Sequence, residues 1–184
     1  MIYYISDLHL GHDNILAFDG RPFNDTKTMG EEIKRRWNLT VEKGDTVYIL
    51  GDVVWRNSEE NIKLLKSLNG QKHLVKGNHD RLNGEMKKCY ESISDYKEIT
   101  DTGRKVVLSH YPMPVFKNHY YKNNYMLYGH VHNTVESMVV NKLKQIMENN
   151  GFPCEIYNVG CMVEYMSYTP RTLDYILEQN KKGE

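Results

Sequence analysis

Five short apolar runs in this chain are each followed at once by side chains of the kind that bind metals. Ser6-Asp7-Leu8-His9 follows residues 2–5, and Gly51-Asp52 follows 46–50. Lys76-Gly77-Asn78-His79-Asp80 follows 72–75, Ser109-His110 follows 105–108, and Gly129-His130-Val131-His132 follows 125–128. In open α/β sheets, ligands bind just outside the carboxyl ends of the strands. If these ends converge, Asp7, His9, Asp52, Asn78, His110, His130 and His132 meet. Oxygen and imidazole donors without thiolate suit borderline divalent ions such as Mn, Fe, Zn, Ni or Co. Seven ligands are too many for one tetrahedral ion and reasonable for two ions sharing a bridging carboxylate. An extended backbone would put the two side chains of Asp7-x-His9, and those of His130-x-His132, on one face.

Each element alone has a plainer reading. Asp7 can cap a turn, Gly-Asp is a common turn dipeptide, and His110 can be an ordinary strand-end residue. All five in order, each behind a strand, make coincidence the weaker account.

The elements that must position these residues are legible in outline. The runs at 2–5, 46–50, 72–75, 105–108, 125–128 and 155–159 are short, rich in β-branched and aromatic residues, and flanked by Gly, Asp or Asn, which predicts strands. Met29, Ile33 and Trp37 make one apolar stripe over 28–38, a predicted helix. Ser58 is the predicted N-cap of a helix over 58–68 that turns Ile62, Leu65 and Leu68 to one face. Thr169, with Pro170 at the first helical position, predicts a helix over 169–182. Strands separated by helices predict an α/β protein with its sheets covered by helices.

The length, 184 residues, fits one domain over 1–184 with a sizeable core. Lys plus Arg and Asp plus Glu both number 24, so the formal net charge is zero. That argues against bulk electrostatic attraction to nucleic acid or to a membrane. The opening "MIYYISDLHL" lacks a basic region and a long apolar run, so a cytoplasmic protein is expected. Cys89, Cys154 and Cys161 are odd in number and show no C-x-x-C spacing, which argues against structural zinc and a disulfide framework. The segment 118–125, "NHYYKNNY", reads as a packed, tyrosine-rich connection, or alternatively as a surface for stacking a nucleobase.

Taken together, D-x-H, G-D, G-N-H-[DE], H and G-H-x-H, in this order over residues 7–132, resemble the motifs of the calcineurin-like metallophosphoesterase family. The stretch "SDLHLGHDNILAFDGRPF" is similar to a small prokaryotic branch of phosphoesterases. The resemblance implies a four-layered α/β/β/α sandwich with a dimetal site at the C-terminal strand ends. It implies that Asp7, His9 and His132 hold one metal, that Asn78, His110 and His130 hold the other, and that Asp52 bridges both. It further implies two divalent transition-metal ions, with manganese foremost, and hydrolysis of phosphomonoesters or phosphodiesters by a metal-activated water. His79 is then the candidate general acid for the leaving oxygen, and Asp80 the carboxylate that holds or polarises its ring.

His12 and Arg21 are weaker candidates for touching substrate. A loop or supporting position explains His12 about as well, and an ordinary surface arginine explains Arg21 nearly as well. The expected partner is a small phosphoester or nucleotide at an open, shallow site, with neither membrane nor nucleic acid. Two alternatives stand beside this reading: a nuclease of the same fold, and a non-catalytic protein-binding scaffold. A scaffold has no need to keep all seven ligands and His79, and this chain keeps them.

Overall fold

The computed structural model describes residues 1–181. Its elements are β1 (Ile2–Ile5), α1 (Asn14–Asp19), α2 (Thr26–Thr40), β2 (Thr46–Ile49), α3 (Glu59–Lys66), β3 (Gln71–Val75) and α4 (Gly84–Lys87). There follow β4 (Ser92–Ser94), β5 (Tyr96–Asp101), β6 (Arg104–Ser109), β7 (Asn124–Tyr128), α5 (Val135–Asn149), β8 (Ile156–Asn158) and α6 (Leu173–Lys181).

The strands form two four-stranded sheets, β1-β2-β3-β4 and β5-β6-β7-β8. The first is wholly parallel, with Ile5 opposite Ile49 and Ile49 opposite Leu74. This register places the residues after β1, β2 and β3 side by side at one edge. In the second sheet β6, β7 and β8 are parallel, with Leu108 opposite Leu127, while β5 runs antiparallel to β6. The sheets meet where Ser6 N donates to Val159 O at 2.8 Å and Cys161 N donates to Ser6 O at 2.9 Å.

Side-chain alternation explains the layering. Val106, Leu108, Tyr125 and Leu127 join the large core that also holds the β1–β3 side chains and Met29, Ile33 and Trp37 of α2. Val107, Met126 and Tyr128 point the other way, into a second cluster with Val140 of α5. The order is helix, sheet, sheet, helix, the four-layered arrangement that the resemblance implies. Both faces of β7 are buried, so that strand reads as a continuous apolar run.

All six predicted strands are present, as are the three helices, with shifted ends. Helix α2 begins at Thr26 rather than at Thr28 and is capped by Asp25, whose carboxylate accepts from Thr28 N at 2.6 Å. Ser58 caps α3 as expected, accepting from Asn61 N. The last helix starts at Leu173 rather than at Pro170, with Thr172 Oγ1 accepting from Tyr175 N. Its predicted end at 182 lies outside the described residues. The chain at Thr169–Arg171 is instead drawn back to β1, where Tyr4 N donates to Arg171 O at 2.8 Å. Among the described residues the three cysteines are free and buried. No helix there is long and apolar enough to cross a membrane.

Candidate dimetal active site

The strand ends converge. Donor atoms of Asp7, His9 and His132 lie within 4.8 Å of one another, and so do those of Asp52, His110 and His130. Asp52 Oδ2 stands 3.6 Å from His9 Nε2 and 3.5 Å from His110 Nε2, between the two groups. Asn78 Oδ1 lies 3.0 Å from His110 Nε2 and so joins the second group. All seven residues expected as ligands meet at this edge.

The backbone there is not extended. Asp7 (φ 56°), His9 (φ 49°), Asp52 (φ 53°), His130 (φ 70°) and His132 (φ 46°) all lie in the left-handed region. The expectation that each x-spaced pair shares the face of an extended strand is therefore corrected. The chain turns sharply at each strand end, which lets His130 and His132 serve different groups. Non-glycine residues at positive φ cost free energy and persist only where the surroundings hold them. Here the holding is visible, since His130 N donates to Asp7 Oδ1 and Oδ2 at 3.1 Å. Close approach also requires glycine. A Cβ on Gly51, itself at φ 89°, would lie 2.6 Å from Gly77 N, and one on Gly129 would lie 2.5 Å from Asp7 Oδ2.

The hydrogen bonds orient the rings. His132 Nδ1 donates to the buried Asp19 carboxylate at 2.8 Å, which turns Nε2 toward Asp7 Oδ1, 3.7 Å away. His110 Nδ1 lies 2.8 Å from Leu50 O, and a carbonyl only accepts, so that nitrogen carries the hydrogen. In the neutral ring, Nε2 then offers a lone pair toward Asn78 Oδ1 and Asp52 Oδ2, which also offer lone pairs. Nε2 of His9 is buried and has no hydrogen-bond partner among the described residues. Burial first, then the nearby His132 and Arg21 charges, push the His9 pKa down to about 2. Burial and His110 lower that of His130. His130 Nδ1 stands 3.2 Å from His110 Nε2, where one ring can donate to the other, and the remaining donors converge without hydrogen bonds among them. This is the arrangement a pair of cations would satisfy, and the donor set is nitrogen and oxygen without sulfur.

Three expected site residues stand near the centre in roles that need comment. His79 N donates to Asp52 Oδ1 at 2.9 Å, and its ring, with Nε2 4.0 Å from Asp52 Oδ2, is 40 % exposed beside both groups. His12 stacks on Trp55 at 3.7 Å between centroids, with its Nδ1 3.4 Å from His9 Nδ1. Asp80 does not hold the His79 ring. Its carboxylate accepts from the backbone N–H groups of Asp52, Val53 and Gly77, each at 2.9 Å. Burial raises its pKa, and the bonds from Gly77 and Val53 counter that. Asp80 thus ties the Gly51–Val53 turn to the Gly77–Asp80 turn.

The expectation that Arg21 touches substrate is overturned. Its guanidinium is buried. Nη1 donates to Leu8 O at 2.9 Å, Nη2 to Asp7 O at 2.8 Å, and Nε to Asp19 Oδ2 at 2.8 Å. The planar fork braces the turn that carries Asp7 and His9 from behind. The tyrosine-rich segment is packed only in part, for Asn124 and Tyr125 are buried while Tyr120 and Tyr121 are exposed.

Sequence reasoning missed Asp19, Trp55 and Tyr111. Asp19 orients His132 and pairs with Arg21. Burial would raise its pKa, but the His132 bond and the Arg21 charge carry it below the usual carboxylate value. An acid two residues before an arginine in "FDGRPF" was the available signal. Trp55 packs against His79 at 4.8 Å, and Tyr111 against His130 at 4.6 Å. No local pattern marks either of them.

A carboxylate that orients a ligating histidine is worth about 10–100-fold in metal affinity. Asp19→Asn keeps an oxygen for His132 and loses the charge. Metal titration of this variant, well below its melting temperature, is expected to show one of two ions weakened by that factor. Unchanged affinity for both would remove Asp19 from this role.

The calcineurin-like phosphoesterase superfamily domain model matches residues 1–172, and the chain belongs to that superfamily. An uncharacterized protein of Methanocaldococcus jannaschii, MJ1445, is 28 % identical over 186 residues, covering 99 % of this chain and 92 % of that one. The gene 66 protein of Mycobacterium phage L5 is 29 % identical over 130 residues, 60 % of this chain and 62 % of its own. The crystal structure of AQ665, a protein of unknown function from Aquifex aeolicus, matches with a TM-score of 0.72 at 27 % identity, over 97 % of this chain and 98 % of that one.

Proposed function

We propose that the protein is a dimetal-dependent hydrolase of phosphomonoesters or phosphodiesters, cytoplasmic, acting on small phosphoesters or nucleotides with manganese as its foremost metal. The observation that carries this reading is Asp52 Oδ2 standing between the two donor groups, beside the partnerless His9 Nε2. Asp7, His9 and His132 would hold one ion, Asn78, His110 and His130 the other, and Asp52 both. Two such ions supply Lewis acidity, which acidifies a water toward neutral pH and neutralises phosphate charge.

The chain's own residues do the rest. Arg21 and Asp19 set the Asp7–His9 turn and the His132 ring. Asp80 holds the turns carrying Asp52 and Asn78 in register. His79, partly exposed and fixed through its backbone to Asp52, reaches the open side, where it can give a proton from its ring to the departing oxygen. His12, stacked on Trp55, forms the wall next to it.

Metal analysis of the purified protein, followed by a screen of phosphomonoesters, phosphodiesters and nucleotides with Mn²⁺, tests the reading. Absence of hydrolysis by the metal-loaded protein across that screen would count against it. His79→Ala should retain both metals and slow alkyl esters by about 10²–10⁴-fold, the usual worth of a general acid. Nitrophenyl esters, whose leaving group departs without a proton, should lose much less. Equal losses on the two substrates would remove His79 from proton donation.

A further inference from the structure

His79 is the proposed proton donor, yet no hydrogen bond aims its ring. Among the described residues neither ring nitrogen of His79 has a hydrogen-bond partner, and Asp52 Oδ2 stands 4.0 Å from Nε2. That oxygen is the one proposed to bridge the metals. The Asp80 carboxylate, next in sequence, is occupied by three backbone N–H groups. A partly exposed imidazole with two free torsions samples several rotamers unless something else confines it.

The side chain that stands against it is Trp55. The indole lies 4.8 Å from the His79 ring between centroids, at 48° between planes. Trp55 is itself well fixed. Its N donates to Leu10 O at 3.0 Å, and its indole stacks on His12 at 3.7 Å with 4° between planes. His12 N in turn donates to His9 O at 3.1 Å. Asn61 Nδ2 fastens the same crossing, donating to Arg56 O at 3.0 Å and to Leu10 O at 3.5 Å. The indole is therefore tied to both turns that carry proposed ligands, that of His9 and that of Asp52.

We propose that Trp55 is the positioning residue for the proton donor: its indole, seated on His12, holds the His79 ring toward the leaving oxygen. Buried carboxylates perform this task for other catalytic histidines. The inference rests on His79 being the donor. An aromatic face suits this place for a physical reason. A carboxylate beside two cations would be drawn into their coordination, whereas an indole offers them none of the oxygen or imidazole donors they prefer. Its electron-rich face still attracts an imidazolium, and tryptophan does so best among aromatic side chains. The proton passes from His79 to the ester oxygen as the P–O bond breaks, and the neutral ring is reprotonated from water.

The first measurement does not depend on turnover. In NMR spectra of the metal-free protein, the His79 ring protons, assigned by their loss in His79→Ala, should be displaced by the indole ring current. In Trp55→Leu they should move to the values of a freely rotating histidine. An unmoved His79 signal would overturn the proposal.

Kinetics with Mn²⁺ read the consequence. Trp55→Leu should lower kcat for an alkyl ester by about 10–10²-fold, since a misplacement of about 1 Å can cost about 10²-fold. KM and metal content should hold, and nitrophenyl esters should lose much less. Trp55→Phe, which keeps a ring face, should recover most of the loss. In Trp55→Leu/His79→Ala the loss should be no greater than in His79→Ala alone, because the two side chains act as one unit. Losses that multiply in the double variant, or equal losses on both ester types in Trp55→Leu, would overturn the positioning role and leave the donor. Equal losses on both ester types in His79→Ala would overturn the donor, and the positioning role with it.

Discussion

Asp52→Ala is expected to lose both metal ions and essentially all activity. The side chain is buried, and one of its oxygens lies within 3.6 Å of a histidine nitrogen from each donor group. No other carboxylate of the set stands in that position. Its second oxygen accepts from His79 N, so the same substitution also frees the proposed proton donor. Removing one preorganised electrostatic partner commonly costs about 10²–10³-fold in rate. A group serving two cations and the acid at once should cost more than that.

Asp52→Asn separates the contributions. It can still accept from His79 N, but it brings no charge to the ions, so metal content should fall nearly as far as in the alanine variant. Elemental analysis after gel filtration, with activity measured beside it, reads both quantities. An Asp52→Ala protein that kept two ions and wild-type turnover would end the dimetal assignment.

The second large effect is on stability, and it replaces the change in KM that the sequence suggested for Arg21. Arg21→Ala leaves the Leu8 carbonyl without its donor, the Asp7 carbonyl with the weak Cys161 thiol alone, and the buried Asp19 carboxylate with His132 but no guanidinium. Breaking a buried ion pair from one side costs about 3–5 kcal/mol. At this chain length each kcal/mol moves the melting temperature by roughly 2–4 °C, so a loss of about 6–20 °C is expected. Arg21→Lys should fall in between, because one ammonium cannot span three acceptors set for a planar fork. Calorimetry on the metal-free proteins checks this without reference to turnover. A wild-type melting temperature for Arg21→Ala, with a raised KM, would restore the substrate-binding role.

Much of this molecule could be read from its residues in order. Apolar runs of four to six residues with polar ligands behind them were enough to find six strands, because burial on both faces forces such runs. The convergence of the candidate ligands was legible for a related reason. Metal-type side chains behind parallel strands have only one edge at which to meet, and their chemical types restrict what can meet there. Other elements carried weaker signals. Strand β4 is three residues long, and β5, "YKEITD", is half exposed, so its composition resembles a loop. The two-residue turn at Thr102 (φ 47°) and Gly103 (φ 83°) was the remaining cue for its hairpin with β6. Helix α5 escaped notice although Thr134 caps it and Ser137, Asn141, Lys144, Gln145 and Glu148 share one polar face.

What tertiary structure alone decided is how the site residues are divided and held. Asp7-x-His9 and His130-x-His132 look alike as spacings, yet the first pair shares one donor group and the second is split between two. Left-handed backbone is common to all four positions, so the division is decided by what each side chain faces across the sheet edge, and contacts from distant segments hold the turns, such as His130 N to the Asp7 carboxylate. Asp80 and Arg21 were identified by type and proximity in sequence, but each side chain's task was fixed by what lay opposite it. Three backbone N–H groups from two turns face Asp80, and two backbone carbonyls and the Asp19 carboxylate face Arg21. Residue types set which groups can ligate or donate. Which ones actually face each other depends on turns closed by residues up to 154 positions apart, and no local pattern encodes that distance.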